Sequence, residues 1–218
     1  MHANDLLLYA VTDRQWLGTR SLSECVQAAI AGGVTMVQLR EKHLPQDEFI
    51  TEALALKALC QKADVPFIIN DNLAVAQAVH ADGLHVGQDD LAAGTVRAAL
   101  APDQLLGVSA QTVAEACAAE AAGADYLGVG AVFTTTTKTD AVAVPLSTLR
   151  AITQAVRIPV VAIGGINANN LPQLAGTGIA GVALVSAIFA AADIKDNAQR
   201  LAQQVAQLVG EARPFGES

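Results

Sequence analysis

The stretch Ala122-Gly123-Ala124-Asp125-Tyr126-Leu127-Gly128-Val129-Gly130 contains the repeating unit on which the fold depends. Its first residues end an Ala-rich helical pattern with a glycine, which adopts a left-handed helix C-terminus at low cost. The residues that follow form a short apolar run typical of a buried strand. Related phrases occur at Ala31-Gly32-Gly33-Val34 and Ile179-Ala180-Gly181-Val182, each leading into another such run. The chain is therefore predicted to repeat a helix–turn–strand unit.

Eight apolar runs alternate with eight Ala- and Leu-rich helical patterns. The predicted strands are residues 6–11, 35–39, 66–69, 83–86, 105–108, 126–129, 160–163 and 181–185. The predicted helices are roughly residues 21–31, 46–63, 72–81, 91–100, 112–122, 145–155, 169–175 and 193–208. Such alternation favours a parallel sheet, either closed as a (β/α)8 TIM barrel or open and doubly wound. The eight units, with polar residues after nearly every run, favour one barrel domain over residues 1–218.

Composition excludes several classes of function. The chain is 52% hydrophobic and 16% charged, which predicts a well-buried core rather than disorder. A formal charge of −8 argues against a nucleic-acid partner. No apolar run approaches the roughly 20 residues that span a bilayer, and the first residues lack the basic region of a signal peptide. The three cysteines are dispersed and form no CxxC, which indicates reduced thiols in the cytoplasm; whether the chain forms a homo-oligomer stays open.

Polar residues at the second strand end suggest an anion site, because strand ends converge on one face of a barrel. Alternation along the strand places Gln38, Arg40 and Lys42 on one face. Leu39 and Glu41 lie on the other face. Two cations and an amide that point inward would clamp an anion. The plainer alternative is a polar strand end with surface salt bridges.

Acidic residues follow the third and fourth runs. Asp71 and Asp90 come from neighbouring strands, so their carboxylates could approach each other. Mg2+ is commonly held by one or two carboxylates together with substrate phosphate oxygens. Capping of a helix N-terminus explains either aspartate taken singly, and Asp89 is a competing ligand beside Asp90. A magnesium site and two helix caps therefore both fit the pattern.

The segment Phe133-Thr134-Thr135-Thr136-Thr137-Lys138-Thr139 follows the sixth run. Its five hydroxyls and one ammonium can all donate hydrogen bonds to an anion. Such a loop suits a phosphate or pyrophosphate, whereas the alternative is a solvated Thr-rich turn.

The last two strand ends predict a phosphate cup. Gly164 and Gly165 follow the seventh run, and Ser186 follows the eighth, where backbone N–H groups of many barrels bind phosphate. His85 could be a base or a core residue, and the core interpretation is favoured. No Ser-His-Asp arrangement or Cys–His pair is evident, so covalent acyl chemistry is not indicated. ATP and NAD are not indicated either, because the chain has no P-loop and no GxGxxG at the first strand.

Together these motifs resemble the thiamine phosphate synthase family over nearly the whole chain. The matching phrases are YAVTD (9–13), QLREK (38–42), IND (69–71), DGLHVGQ (82–88) with Asp90, GVS (107–109), DYLGVG (125–130), TTTK (135–138), AIGGI (162–166) and VSAI (185–188). The resemblance implies an enzyme that joins a hydroxymethylpyrimidine diphosphate to a thiazole phosphate and releases pyrophosphate. It also implies Mg2+ as cofactor.

The resemblance also assigns roles to the matching positions. It implies that the pyrimidine diphosphate is bound by Gln38, Leu39, Arg40, Glu41, Lys42, Asn70, Ser109 and Lys138. It implies that the thiazole phosphate is bound by Thr135, Thr136, Thr137, Gly165, Val185 and Ser186. Asp71 and Asp90 would hold Mg2+. The implied catalytic residues are Arg40, Lys42, Ser109 and Lys138.

Two departures from the family pattern lie near the Thr/Lys loop, where Ala131 and Thr134 stand in place of the usual prolines. Because proline restricts the open ensemble of a loop, we expect these changes to affect loop closure more than the set of ligands. Two rival functions fit the same barrel: isomerisation of a thiazole phosphate, and non-catalytic phosphate binding. Neither needs the full set of inward cations and paired aspartates, so the synthase is favoured.

Overall fold

The computed structural model describes residues 3–88, 92–134 and 143–211. Eight parallel strands pair in chain order and close into a barrel. They are β1 (Leu8–Val11), β2 (Met36–Leu39), β3 (Phe67–Asn70), β4 (Gly83–Val86), β5 (Leu105–Ala110), β6 (Tyr126–Val129), β7 (Val160–Ile163) and β8 (Gly181–Leu184). The predicted (β/α)8 barrel is thus confirmed, and the open doubly wound sheet is not formed.

Helices follow the strands and cover the outside of the barrel. They are α1 (Leu22–Ala31), α2 (Gln46–Lys62), α3 (Leu73–Ala78), α4 (Ala93–Ala99), α5 (Val113–Ala121), α6 (Leu146–Ala155), α7 (Ser186–Phe189) and α8 (Ile194–Glu211). Short 3-10 helices lie at Ala3–Leu6, Arg14–Trp16 and Leu171–Leu174. No helix in the described part of the chain combines the length and apolar character needed to cross a membrane.

The connection between β7 and β8 differs from the prediction of a helix over residues 169–175. It contains only the 3-10 helix Leu171–Leu174. Positive φ angles of 67° at Gly165 and 69° at Gly176 bracket this segment. Such angles interrupt a right-handed helix and are readily adopted by glycine. The four-residue helix α7, which directly follows β8, was not predicted as a separate element.

The strands carry two cores because successive side chains point to opposite faces. The outer core lies between strands and helices and contains residues such as Leu39 and Phe67. The inner core fills the barrel with Leu6, Tyr9, Val11, Met36, Ile68, Tyr126, Val161 and Ala183. Both tyrosines of the chain therefore lie inside the barrel, where their phenol groups must find hydrogen-bond partners.

Helix capping near the third strand is performed by Asn72 rather than by Asp71. The Asn72 side chain accepts a hydrogen bond from the Val75 amide at the start of α3. Asp71 has a φ angle of 61°, and its own amide donates to the His85 carbonyl at 2.8 Å. The capping alternative therefore does not account for the Asp71 carboxylate.

A glycine in β5 makes room for two polar side chains of the inner core. Gly107 pairs in register with His85 on one side and with Tyr126 on the other. A Cβ atom at this position would lie 2.2 Å from Cζ of Tyr126 and 2.4 Å from Nδ1 of His85. The contact between these two side chains therefore depends on the absence of a side chain at Gly107.

Replacing Gly107 with alanine tests this packing. We expect Gly107→Ala to lower the free energy of unfolding by about 1–3 kcal/mol, as overpacked cores do. The matched control is Gly94→Ala in α4, where a Cβ would meet nothing within 4 Å. That change should leave stability unchanged or raise it by about 0.5–1 kcal/mol through helix propensity. Urea unfolding measures both, and equal effects would contradict the crowding at Gly107.

Candidate active site

A cavity of about 630 Å3 opens at the carboxyl ends of the strands. Its walls come from the ends of all eight strands and from the loops that follow them. This is the end at which barrels of this class place their sites. The cavity brings together residues predicted for the site at the ends of β2, β3, β5, β7 and β8.

The β2 wall of the cavity carries the predicted cations. Gln38, Arg40 and Lys42 line it, as strand alternation predicts. The guanidinium of Arg40 is half-buried and makes no ion pair with any described residue. An unpaired, half-buried cation is costly without an anion nearby. Arg40 therefore fits an anion clamp better than a surface salt bridge.

The structure places Leu39 and Glu41 away from this cavity, although the family resemblance grouped them with the substrate-binding residues. Leu39 is fully buried in the outer core. The Glu41 carboxylate lies 2.8 Å from Nε of Arg14, which also pairs with Glu52. Alternation along the strand turns both side chains outward. Neither side chain therefore lines the cavity, and substrate binding by these two residues stays a prediction.

Lys42 and Asp71 form an ion pair at the rim. Nζ of Lys42 lies 2.5 Å from Oδ2 of Asp71, and both residues line the cavity. Asp71 thus presents a carboxylate to the cavity, as predicted. No cluster of three or more His, Cys, Asp or Glu side chains suited to a metal occurs among the described residues. A single carboxylate still fits Mg2+, since this ion takes most of its ligands from water and phosphate.

A chain of hydrogen bonds crosses the barrel beneath the cavity. Nε2 of Gln38 donates to the Tyr9 hydroxyl at 2.7 Å, and the Tyr9 and Tyr126 hydroxyls are 2.9 Å apart. The Tyr126 hydroxyl lies 3.2 Å from Nδ1 of His85. Nε2 of His85 lies 3.0 Å from Oγ of Ser109, which lines the cavity. This hydrogen-bond chain links the end of β2 to the end of β5.

Burial keeps both phenols of this chain protonated. It raises the pKa of Tyr126 well above the ordinary phenol value and raises the pKa of Tyr9 in the same direction. Their rings pack edge to face, with centroids 5.9 Å apart. His85 is 8% exposed and also lines the cavity. It is therefore a buried core residue, as favoured from sequence, that also borders the site.

The residues predicted to form a phosphate cup lie at the ends of β7 and β8. Gly165, Val185 and Ser186 line the same cavity as the β2 cations. Gly165 lies against the loop after β6, because a Cβ there would approach the Thr134 carbonyl oxygen to 2.3 Å. The cavity thus has charged side chains at the end of β2 and small residues at the ends of β7 and β8.

Several predicted site residues lie outside the described residues: Asp90, Thr135, Thr136, Thr137 and Lys138. Asn70, in contrast, is described, and it lines the cavity at the end of β3 with 8% exposure. Nothing in the described geometry tests the roles assigned to the first group.

Five residues that lie at or below the cavity were not predicted from the sequence as site residues. Tyr9, Gln88, Gln111 and Glu115 line the cavity, and Tyr126 lies below it. Tyr9 and Tyr126 carried a signal, since they are the only tyrosines of the chain and both lie in predicted strands. Gln111 and Glu115 carried none, because their approach depends on a hydrogen bond from the Gln111 amide to Glu115 at the start of α5.

The family model and the similar proteins described next all carry names of thiamine phosphate synthesis. A family model described as thiamine monophosphate synthase matches residues 8–188. A thiamine-phosphate synthase of Ruminiclostridium cellulolyticum is 53% identical over 197 residues, which cover 90% of this chain and 94% of that protein. One from Chloroflexus aurantiacus is 50% identical over 92% of this chain and 93% of its own length. The solved thiamine phosphate pyrophosphorylase of Pyrococcus furiosus superposes with a TM-score of 0.88 at 38% identity, covering 95% of this chain and 99% of that one.

The β2 wall predicts binding of inorganic pyrophosphate. We expect Arg40→Met to weaken this binding about 10- to 100-fold, because charged hydrogen bonds contribute about 1.5–3 kcal/mol. Arg200→Met on α8 removes an exposed arginine 3.9 Å from Asp196 and serves as the charge-matched control. Calorimetric titration of the folded proteins measures the difference, and equal weakening in both variants would argue against a local clamp.

Proposed function

This chain belongs to the thiamine monophosphate synthase family, and on that premise we propose that it joins a hydroxymethylpyrimidine diphosphate to a thiazole phosphate. The products are thiamine phosphate and pyrophosphate. The chain is accordingly an enzyme of the transferase class. Its substrates are small molecules, and both would bind in the cavity at the carboxyl ends of the strands.

The observation that supports this function most directly is the two-sided cavity. Arg40 and Lys42 on β2 suit a diphosphate, while Gly165 and Ser186 at the ends of β7 and β8 suit a second phosphate. An isomerase acting on one thiazole phosphate would need only the second wall. A synthase needs both walls in one cavity, so that its two substrates can meet.

The mechanism we propose begins with cleavage of the bond between the pyrimidine methylene carbon and the diphosphate oxygen. The electron pair leaves with pyrophosphate, and the aminopyrimidine ring stabilises the resulting cation. The thiazole nitrogen then donates its lone pair to the methylene carbon, forming the new C–N bond. No protein nucleophile is needed. The chain contributes by stabilising charge that develops on the leaving oxygen.

Specific side chains would carry these tasks. Arg40 and Lys42 would bind the diphosphate oxygens, joined by Lys138 from the loop after β6. Gln38, Asn70 and Ser109 would hold the pyrimidine. The thiazole phosphate would be held by Thr135, Thr136, Thr137, Gly165, Val185 and Ser186.

We further propose Mg2+ as the cofactor, with Asp71 and Asp90 as its ligands. When bound, Mg2+ supplies positive charge to the diphosphate oxygens. The carboxylate of Asp71 faces the cavity and has the hard oxygen atoms that this ion prefers. Lys42, which pairs with Asp71, is close enough to shift its ammonium from the carboxylate to an incoming diphosphate.

The cytoplasm is the compartment we propose. All three cysteines are free, and Cys25 and Cys60 are buried. Burial raises the pKa of the Cys60 thiol to about 12, which keeps it protonated and unreactive. Such thiols suit a reducing compartment.

A pyrophosphate-release assay tests the proposed function. We expect release when the pyrimidine diphosphate, the thiazole phosphate and Mg2+ are all present, and no release above background when any one is omitted. Thiamine phosphate should appear in equal amount. Change of the thiazole phosphate alone would instead indicate an isomerase, and binding of either substrate without turnover would indicate a phosphate-binding protein.

Replacement of Asp71 tests the metal site separately. We expect Asp71→Asn to raise the Mg2+ concentration needed for half-maximal rate about 10-fold or more, since a carboxylate ligand is lost. Asp64→Asn is a matched control, because Asp64 is exposed and also has a positive φ, 55°. The control should leave the Mg2+ dependence unchanged. An unchanged dependence in Asp71→Asn would remove Asp71 from the ligand set.

A further inference from the structure

The hydrogen-bond chain from Gln38 to Ser109 has a defined direction. The Gln38 amide nitrogen carries only hydrogens, so it must donate to the Tyr9 oxygen. Either phenol could donate in the 2.9 Å contact between Tyr9 and Tyr126, but donation by Tyr9 gives its buried hydrogen the acceptor that the described contacts offer it. With its oxygen accepting from Tyr9, Tyr126 donates its own hydrogen to Nδ1 of His85 at 3.2 Å. Both phenols are protonated because burial raises their pKa values.

This direction sets the tautomer of His85. Because Nδ1 accepts a hydrogen bond, the ring proton of the neutral imidazole is on Nε2. Nε2 then donates to Oγ of Ser109 at 3.0 Å. The Ser109 hydroxyl hydrogen then remains available for another acceptor, and Ser109 lines the cavity. At the other end, the Gln38 side chain keeps its carbonyl oxygen as the acceptor on the cavity wall.

The direction of these hydrogen bonds distinguishes the Ser109–His85 pair from the serine and histidine of a catalytic triad. In a catalytic triad the histidine donates from Nδ1 to a carboxylate and accepts the serine proton at Nε2. Here a phenol donates to Nδ1, so Nε2 already carries a proton and cannot accept one from Ser109.

We propose that Tyr9, Tyr126 and His85 are positioning residues that fix an acceptor at Gln38 and a donor at Ser109 for recognition of the aminopyrimidine. The inference rests on the proposed function. An aminopyrimidine presents an N–H donor on its amino group and an acceptor on a ring nitrogen, which complements this pair. An oxopyrimidine has a carbonyl acceptor and a ring N–H donor instead. The hydrogen-bond chain would thus select the amino form of the substrate.

Tyr126 gives the cleanest test because it acts only through its neighbours. It is fully buried and does not belong to the described residues that line the cavity. Tyr126→Phe keeps the ring but removes the hydroxyl in the middle of the chain. Tyr9→Phe interrupts the hydrogen-bond chain one residue earlier, and it is the variant to use if Tyr126→Phe does not fold. The control, Thr177→Val, removes a buried hydroxyl that bonds to the Leu174 carbonyl outside the cavity.

Nitrogen-15 NMR of labelled histidines shows which ring nitrogen of His85 carries the proton, and it needs no substrate. The chain has four histidines, and the His85 signals are those missing from a His85→Asn protein. We expect neutral His85 to be protonated on Nε2 in the wild-type protein and in Thr177→Val. In Tyr126→Phe we expect a mixture of the two tautomers. A wild-type His85 protonated on Nδ1 would overturn the proposal, whatever the enzyme's activity.

Steady-state kinetics measure the effect of these substitutions on recognition of the pyrimidine diphosphate. We expect Tyr126→Phe to lower kcat/KM for the pyrimidine diphosphate about 10-fold, the effect of one hydrogen bond, with an unchanged KM for the thiazole phosphate. The preference for an amino- over an oxopyrimidine diphosphate, measured as the ratio of inhibition constants, should fall by a similar factor. Parallel changes for both substrates, or no change beyond that of Thr177→Val, would refute the positioning role. A wild-type protein that releases no pyrophosphate would instead refute the proposed function, while the histidine tautomer would still decide the polarity of the chain.

Discussion

The constraint that governs this structure is the small interior of a closed eight-stranded barrel. Every second strand residue must point into that interior, and each polar group placed there must be hydrogen-bonded. The protein meets this condition by filling the barrel interior with aliphatic residues and by joining the polar groups next to the cavity into one hydrogen-bond chain. The glycine at position 107 provides the space in which His85 and Tyr126 meet. The buried hydrogen-bond chain ends at Gln38 and Ser109, which line the cavity. The packing inside the barrel therefore sets which polar groups the cavity presents.

Much of the fold was predictable because the barrel repeats one simple unit. The turn phrases before the strands and the alternation of apolar runs with helical patterns located all eight strands to within about two residues at most ends. Alternation within β2 also predicted which side chains line the cavity, since Gln38, Arg40 and Lys42 do so and Leu39 and Glu41 do not. These features depend on local sequence and on strand geometry alone. The prediction of a helix over residues 169–175 was wrong: this segment forms only the 3-10 helix Leu171–Leu174, and Gly176 follows it with a φ angle of 69° that a right-handed helix does not allow.

The buried polar chain was not predictable because its contacts span the barrel. Tyr9 and Tyr126 are 117 residues apart, and their meeting depends on strand register and on the size of the barrel. Local sequence likewise cannot show that Asn72 takes the capping role and leaves Asp71 facing the cavity. A sequence with only two tyrosines, a glycine in each of β5 and β6, and a histidine in β4 hints at such a layer. Only the closed geometry shows how these residues meet.

The placement of both tyrosines in the barrel interior gives the molecule an internal chromophore. Tyrosine absorbs differently when its phenol ionises, and here neither phenol ionises in the folded state at the ordinary pKa of about 10. Above that pH the unfolded chain releases protons that the folded barrel retains, so alkaline conditions favour opening. The appearance of phenolate absorbance on alkaline titration therefore reports opening of the barrel around Tyr9 and Tyr126 rather than events at the molecular surface.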